Sequence, residues 1–465
     1  MSFPKMKIFD IFLPMQVLNQ IILPAEAGLV RFDTLAVTMA VLVTFLGVVV
    51  LRFAMRYLEG DPKRTRFLVW MSLTLLSVIT LVISNHMLVL LGAWTATSLG
   101  LHRLLLHHPE RVGAVFAARK KFVFSRMAEV SLLVAAVLLY NGHATWRIDE
   151  LVASITGGNH AGLPAAAFLL AFTAMLKSAQ FPFHSWLPDT MDTPTPVSAL
   201  MHAGIINAGG FLVLRLAPVF TAVPSAMHLL AIIGTLTSVF GAIVMLTLPG
   251  VKRALAFSTI AQMGFMMIQV GLGAWGLALL HLVAHSMYKA YAFLQAGSTI
   301  GVTPRAAIPL STGALAFATL VGTTLVAALA TAFHFLLPET VSTPTVFLAI
   351  IALALAYGIA RATSGNPGGL PRAITAAFGV ASVALALHFA AGHLLPTPVA
   401  PVVPGWLMIF VAVSFVALFF FQALLWRASA HPIGRILYVH ALNGFYVGPL
   451  ANRMMNNLWP SKRSN

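Results

Sequence analysis

The sequence predicts an all-α polytopic membrane protein of about 13–14 transmembrane helices, and three observations predict it. Hydrophobic residues make up 59% of the chain and charged residues 9%, against about 25% charged in soluble domains. Mean hydropathy is +0.91. The apolar residues fall in runs of roughly 17–25, the length at which a helix crosses a bilayer. So few charges cannot cover a water-exposed surface, so lipid is the solvent for most of the exterior.

In order, the runs lie at 34–54, 67–84, 86–101, 122–140, 163–181, 195–217, 226–248, 254–272, 275–298, 308–337, 345–361, 373–395 and 403–426. The run 308–337 is long for one span and is either tilted or broken. The run 195–217 is rich in Gly, Ser, Thr and Asn, which suits a tightly packed or interrupted helix. Ahead of them, Ile8 to Leu23 is short and interrupted by Asp10 and Pro14. It reads as an optional extra span, and no cleavable signal peptide is evident. No polar stretch reaches the size of a soluble domain.

The loops test this count. One alternate set carries Arg56, Lys63, Arg64, Arg66, Arg103, Arg111, Arg119, Lys120, Lys121, Lys252, Arg253, Arg305, Arg361 and Arg372. The tail on that side adds Arg427, Arg435, Arg453, Lys462 and Arg463. The opposite set has few, chiefly Arg147 and Arg215. The positive-inside rule makes the basic side cytoplasmic and puts the C-terminus there. The loop 182–194, with Asp189, Asp192 and no Lys or Arg, breaks the trend and is expected to fold into the protein.

Composition also excludes functions. The net charge of +16 sits in short loops, not on a basic, aromatic-studded soluble face, so nucleic acid is not the partner. There is no cysteine, which removes disulfides, thiolate-held iron–sulfur clusters and cysteine zinc sites. Neither a dinucleotide fingerprint nor a P-loop is present.

An ionisable group at bilayer depth costs about 2.5–3.5 kcal/mol, so each one needs a reason. Of 12 acids, Glu129 alone lies well inside a run. Arg126 stands three residues before it, so a structural ion pair and a functional carboxylate both fit. Lys177 ends its run, where a snorkelling lysine is the ordinary reading. Pro182, Pro188, Pro194 and Pro196 follow it, however, and non-helical backbone at membrane depth survives only inside protein or beside water. His202 fits a packing residue as well as a relay member. The strongest local signal is HLVAHSMYKAYAF. His281, His285 and Lys289 recur every fourth residue and spread over about 80° of one helical face, with Tyr288 on the same side. Three titratable groups on one stripe of an apolar span read as a proton or cation path. The histidine pair lacks the further ligands that zinc needs, so no metal is assigned to this chain.

At these residues the sequence becomes familiar. LKSAQFPFHSWLPDTMDTPTPVSALMHAGIINAGG, the block from Val251 to Ile300 and ARKKFVFSRMAEV together resemble the antiporter-like subunits of respiratory complex I and of Mrp cation/proton antiporters. The resemblance covers most of residues 117–301. It implies two inverted five-helix repeats with broken helices and a hydrophilic axis across the membrane. By this resemblance the ion-translocating residues are Glu129, Lys177, His202, Lys252, His281, His285 and Lys289. Glu129 would pair with Lys177, and Lys252 would open its helix. It divides the chain into N-terminal transmembrane helices (1–116), a translocating core (117–301) and divergent C-terminal helices with a cytoplasmic tail (302–465).

The departures are informative. The Trp-Glu pair of many complex I subunits is Trp94–Thr95 here, and no lysine follows Lys289 until Lys462. The tail, HPIGRILYVHALNGFYVGPLANRM, resembles the DabB family, membrane subunits of inorganic-carbon accumulation complexes. Those work with DabA, a large zinc protein related to carbonic anhydrases. That resemblance implies an energy-coupling subunit of a bacterial inner membrane, passing H⁺ or Na⁺. Any carbon hydration, and the zinc, would belong to the partner, with no cofactor in this chain. Two alternatives stand beside it: a proton-pumping subunit of a complex I-like enzyme or Mrp-type Na⁺/H⁺ antiporter, and a non-conducting structural subunit.

Overall fold

The computed structural model describes residues 28–299, 312–336, 345–363, 369–394, 402–425 and 432–459. The optional N-terminal span and Arg305, Arg427, Lys462 and Arg463 lie outside the described residues. The helices are α1 (Thr34–Tyr57), α2 (Arg64–Ile83), α3 (Met87–Leu105), α4 (Val112–His143), the short α5 (Ile148–Thr156) and α6 (Leu163–Lys177). Next come α7 (Thr195–Ala203), α8 (Ala208–Arg215), α9 (Pro224–Met245), α10 (Val251–Gly271) and α11 (Trp275–Leu294). Last are α12 (Thr312–Leu336), α13 (Val346–Thr363), α14 (Leu370–Leu394), α15 (Gly405–Leu425), α16 (Pro432–Leu442) and α17 (Val447–Leu458).

Among the described residues, 11 helical segments are long and apolar enough to cross a membrane, α7 and α8 counting as one. The shorter α6 and the histidine-bearing α11 lie at the two remaining apolar runs, so each of the thirteen runs expected from sequence holds a described helix. This is a multi-pass membrane protein. The helix α12 runs without a break.

Two rules of apolar solvent shape the bundle. Backbone polar groups must pair within the protein, and helices approach closely only where residues are small. A Cβ on Gly234 of α9 would lie 2.6 Å from the Gly264 carbonyl oxygen of α10, and one on Gly264 would lie 2.6 Å from the Gly234 oxygen. These two backbones are in direct contact. Helices α1 to α11 share one large core. Smaller clusters join α12 to α15 to one another and to α9 and α10.

The connections form two faces. On the basic face, the Lys120 ammonium donates to the Ser185 carbonyl, to Asp189 Oδ2 (2.8 Å) and to Asn452 Oδ1 (2.6 Å). Lys252 reaches the Thr193 carbonyl at 3.5 Å. The segment 182–194 is therefore folded into the protein, as its lack of basic residues suggested. On the opposite face the buried Arg215 donates to Asp33 Oδ2 at 2.6 Å and to the Val82 carbonyl at 3.1 Å.

Candidate functional site: a buried row of ionisable side chains

The site is built around a broken helix. Helix α7 ends at Ala203, a turn of 3₁₀ helix covers Ile205–Asn207, and α8 resumes at Ala208. A break at membrane depth frees carbonyls that need donors. Side chains supply them. Ser178 donates to the Ile206 carbonyl at 2.8 Å, and His285 Nε2 donates to the His202 carbonyl at 3.3 Å. Asn207 then donates to Ser286 Oγ of α11 at 2.6 Å. The break thus ties α6, α7 and α11 together.

Lys177 does not snorkel. Its side chain is 6% exposed, and its ammonium lies 4.7 Å from the centre of the Trp94 ring of α3. Glu129 is buried on α4, and Arg126 donates to it at 2.7 Å. The spacing of three residues therefore governs its pairing. Among the described residues no ion pair within 4.0 Å joins Glu129 to Lys177, though the two lie within electrostatic reach.

His202 is fully buried and stacks on Phe293 at 4.3 Å. Its Nδ1 lies 3.0 Å from Thr259 Oγ1. The Thr259 hydroxyl has one proton, and it goes to the Leu255 carbonyl at 3.0 Å. The imidazole must therefore donate through Nδ1, leaving Nε2 as the bare nitrogen. That Nε2 is buried with no hydrogen-bond partner among the described residues. Lys289, also fully buried, donates to the same Leu255 carbonyl at 3.2 Å. His202, Thr259, the Leu255 oxygen and Lys289 form one hydrogen-bonded chain between α7, α10 and α11.

Along α11 the stripe turns inward. His281 is half-buried and pairs through Nδ1 with Gln269 Oε1 at 2.9 Å. His285 and Lys289 are buried. Tyr288 departs from the expectation: it is 58% exposed, although its ring lies 5.4 Å from the Lys289 ammonium. The pitch of the helix carries it to the outer edge of the stripe. Lys252 is half-buried and reaches the Thr193 carbonyl of the segment 182–194, apart from the row.

One residue of this neighbourhood escaped the sequence reading. Lys121 is 3% exposed, and its ammonium donates to the Ser98 carbonyl at 2.7 Å and to Ser98 Oγ at 2.9 Å. It lies within electrostatic reach of Lys177 and Glu129. Its place beside Arg119 and Lys120 made it look like a loop charge. Only the early start of α4, at Val112, places it inside the bundle.

Comparison with known proteins follows from this geometry. Residues 84–316 match the family described as NADH:quinone oxidoreductase/Mrp antiporter, TM, and residues 28–68 match the family described as NADH-Ubiquinone oxidoreductase (complex I), chain 5 N-terminus. A "Probable inorganic carbon transporter subunit DabB2" of Halothiobacillus neapolitanus is 37% identical over 95% of this chain and 83% of its own length. A "Probable inorganic carbon transporter subunit DabB" of Hydrogenovibrio crunogenus is 47% identical over 58% of this chain. The chain spans about half that relative's length, 53%. The structure of the Mrp complex from Dietzia sp. DQ12-45-1b shares the fold, with a TM-score of 0.54 at 23% identity, over 92% of this chain and 50% of that one. The chain belongs to the NADH:quinone oxidoreductase/Mrp antiporter family of membrane subunits, with DabB-type subunits among its relatives.

Proposed function

We propose that this chain is the ion-translocating subunit of an inorganic-carbon uptake complex in a bacterial inner membrane, with its basic face in the cytoplasm. The ion is H⁺. It passes through Glu129, Lys177, His202, His281, His285 and Lys289, with Lys252 at the mouth of the re-entrant segment. Residues 117–301 are the translocating core, between the N-terminal helices and a divergent C-terminal region. The energy is handed to a large DabA-type zinc partner, which holds the carbon chemistry and its zinc.

The observation that carries this reading is the row itself. Lys177, His202, His285 and Lys289 are all buried in a bundle whose solvent is lipid; His285 bonds the broken helix, Lys289 joins His202 through the Leu255 carbonyl and Thr259, and Ser178, next to Lys177, bonds the Ile206 carbonyl. Buried ionisable groups this costly mark ion pathways. Protonating one member changes its neighbour's proton affinity through Coulomb interaction, which is strong at low dielectric. One charge crossing 100 mV releases about 2.3 kcal/mol, enough to bias an equilibrium in a partner.

The test has two parts. The chain is purified from its host under mild detergent, and co-purifying proteins and their zinc are identified. One large zinc protein supports the carbon reading; flavin, iron–sulfur or several antiporter subunits replace it with the redox pump or the Mrp antiporter. Lys177→Ala is then assayed for uptake. Full activity with normal assembly removes the transport role.

A further inference from the structure

Away from the row, two loops of the basic face converge. Asp61 follows α1, and His107, His108 and Glu110 lie between α3 and α4. His107 Nε2 is 3.0 Å from Asp61 Oδ2, and His108 Nδ1 is 3.0 Å from Glu110 Oε1. One ligand atom from each of Asp61, His107 and His108 lies within 4.8 Å of the others. Tetrahedral ligation at about 2.0–2.1 Å places ligand atoms about 3.4 Å apart, so small side-chain rotations close this set on an ion.

The donors are held in place. Asp61 Oδ1 accepts from the Lys63 amide at 2.7 Å, which turns Oδ2 toward His107. The His107 ring is buried and meets the Phe67 ring edge-on at 4.9 Å. Such supporting contacts orient metal ligands. The donor chemistry selects the ion class. Two imidazole nitrogens with carboxylate oxygens suit zinc and its neighbours, whereas magnesium and calcium take oxygen sets.

We propose that Asp61, His107 and His108, with Glu110 as the fourth ligand, form a site for a zinc-class divalent cation. The ion fastens the loop after α1 to the loop before α4, whose helix carries Lys120, Lys121 and Glu129. The Lys63 ammonium, 3.9 Å from Glu110 Oε2, shares that carboxylate when the ion is absent. This site is independent of the translocation reading, and its zinc is distinct from the partner's.

The test uses the isolated full-length chain in detergent, without a polyhistidine tag. The chain is stripped with chelator and titrated with Co²⁺, whose tetrahedral complexes absorb visible light. Metal content after zinc loading and gel filtration is measured by mass spectrometry. The expected result is one ion per chain with a tetrahedral spectrum. His107→Ala and His108→Ala should each weaken Co²⁺ binding by about tenfold or more. The substitution His160→Ala, on another loop, should leave it unchanged. If a variant misfolds by circular dichroism, Asp61→Asn takes its place. No stoichiometric binding by the folded wild-type chain, or equal binding by the His107 and His108 variants, overturns the proposal.

Discussion

Lys120→Met separates a buried structural cation from the proposed translocating row. Lys120 is completely buried, and its three acceptors come from Ser185 and Asp189 of the re-entrant segment and from Asn452 of α17. Methionine keeps the apolar stem and removes the charge and all three donors. Each bond from the charged ammonium contributes about 1.5–3 kcal/mol, and of the three only the one to Asn452 reaches α17. Against this stands the relief of burying no ammonium, and Asp189, 28% exposed, recovers some solvation. The part that holds α17 to the bundle is the Asn452 bond alone, and its net loss is about 2 kcal/mol. That is about a 30-fold rise in the local opening equilibrium of α17. Arg453 lies on α17 beside Asn452 and is exposed, so trypsin reports the opening. Cleavage after Arg453 should accelerate about 30-fold where opening is fast relative to cutting. Asp189→Asn in the Lys120→Met background removes the orphaned carboxylate and should restore part of the protection. Cleavage of a well-folded Lys120→Met protein at the wild-type rate refutes the argument.

Other predictions bear on the row and its ends. Thr259→Val leaves the His202 Nδ1 proton without its acceptor, at a cost of about 1–3 kcal/mol. Ion flux in vesicles should fall about tenfold or more, and Thr259→Ser should restore it. Lys121→Met removes the cation bonded to Ser98 and should also reduce flux about tenfold with assembly unchanged; unchanged flux makes Lys121 structural. At the opposite face, burial raises the Asp33 carboxyl, but Arg215 and Arg31 outweigh it and hold the group below its ordinary value of 3.8. The stability this contributes is present above about pH 3.8 and is lost as pH falls through the lower folded-state value. Thermal melts across acid pH should show that loss in the wild type and a weaker one in Arg215→Leu.

The spans were legible because lipid imposes one demand, a long apolar helix, that composition records directly. Helix α4 was the exception, starting at Val112 and not near 122. Its first turns carry Arg119, Lys120 and Lys121, and the positive-inside rule read those as loop charges. The rule counts charges and cannot see that two of the lysines are bonded inward. Helix α17 was also missed, although Tyr446, Leu450, Met454 and Leu458 recur every fourth residue and are all exposed. A short amphipathic helix beside basic residues reads as tail until Asn452 and Met455 are seen to turn inward. The Glu129–Arg126 pair was local and readable. The meeting of Asp61 with His107 was not, because only the packing of α1 to α3 brings those loops together.

The three histidines of the row share one design with a consequence for how charge moves. Each has one N–H committed to the protein: His202 through Nδ1 to Thr259, His285 through Nε2 to the His202 carbonyl, His281 through Nδ1 to Gln269. Each keeps its other nitrogen as the basic one. For His202 and His281 that nitrogen is Nε2, buried with no hydrogen-bond partner among the described residues. A proton arriving at His202 Nε2 cannot leave through Nδ1. The Thr259 hydroxyl is already committed to the Leu255 carbonyl, and that carbonyl cannot pass a proton on. In the proposed function His202 therefore charges and discharges through one nitrogen, as a storage site and not a wire. Lys289 donates to the Leu255 carbonyl and feels the charge on His202. Occupancy of one disfavours a proton on the other at low dielectric. In the proposed function, ions advance by this alternation of charge between fixed sites, and the broken helix takes part because its His202 carbonyl holds the His285 ring in register.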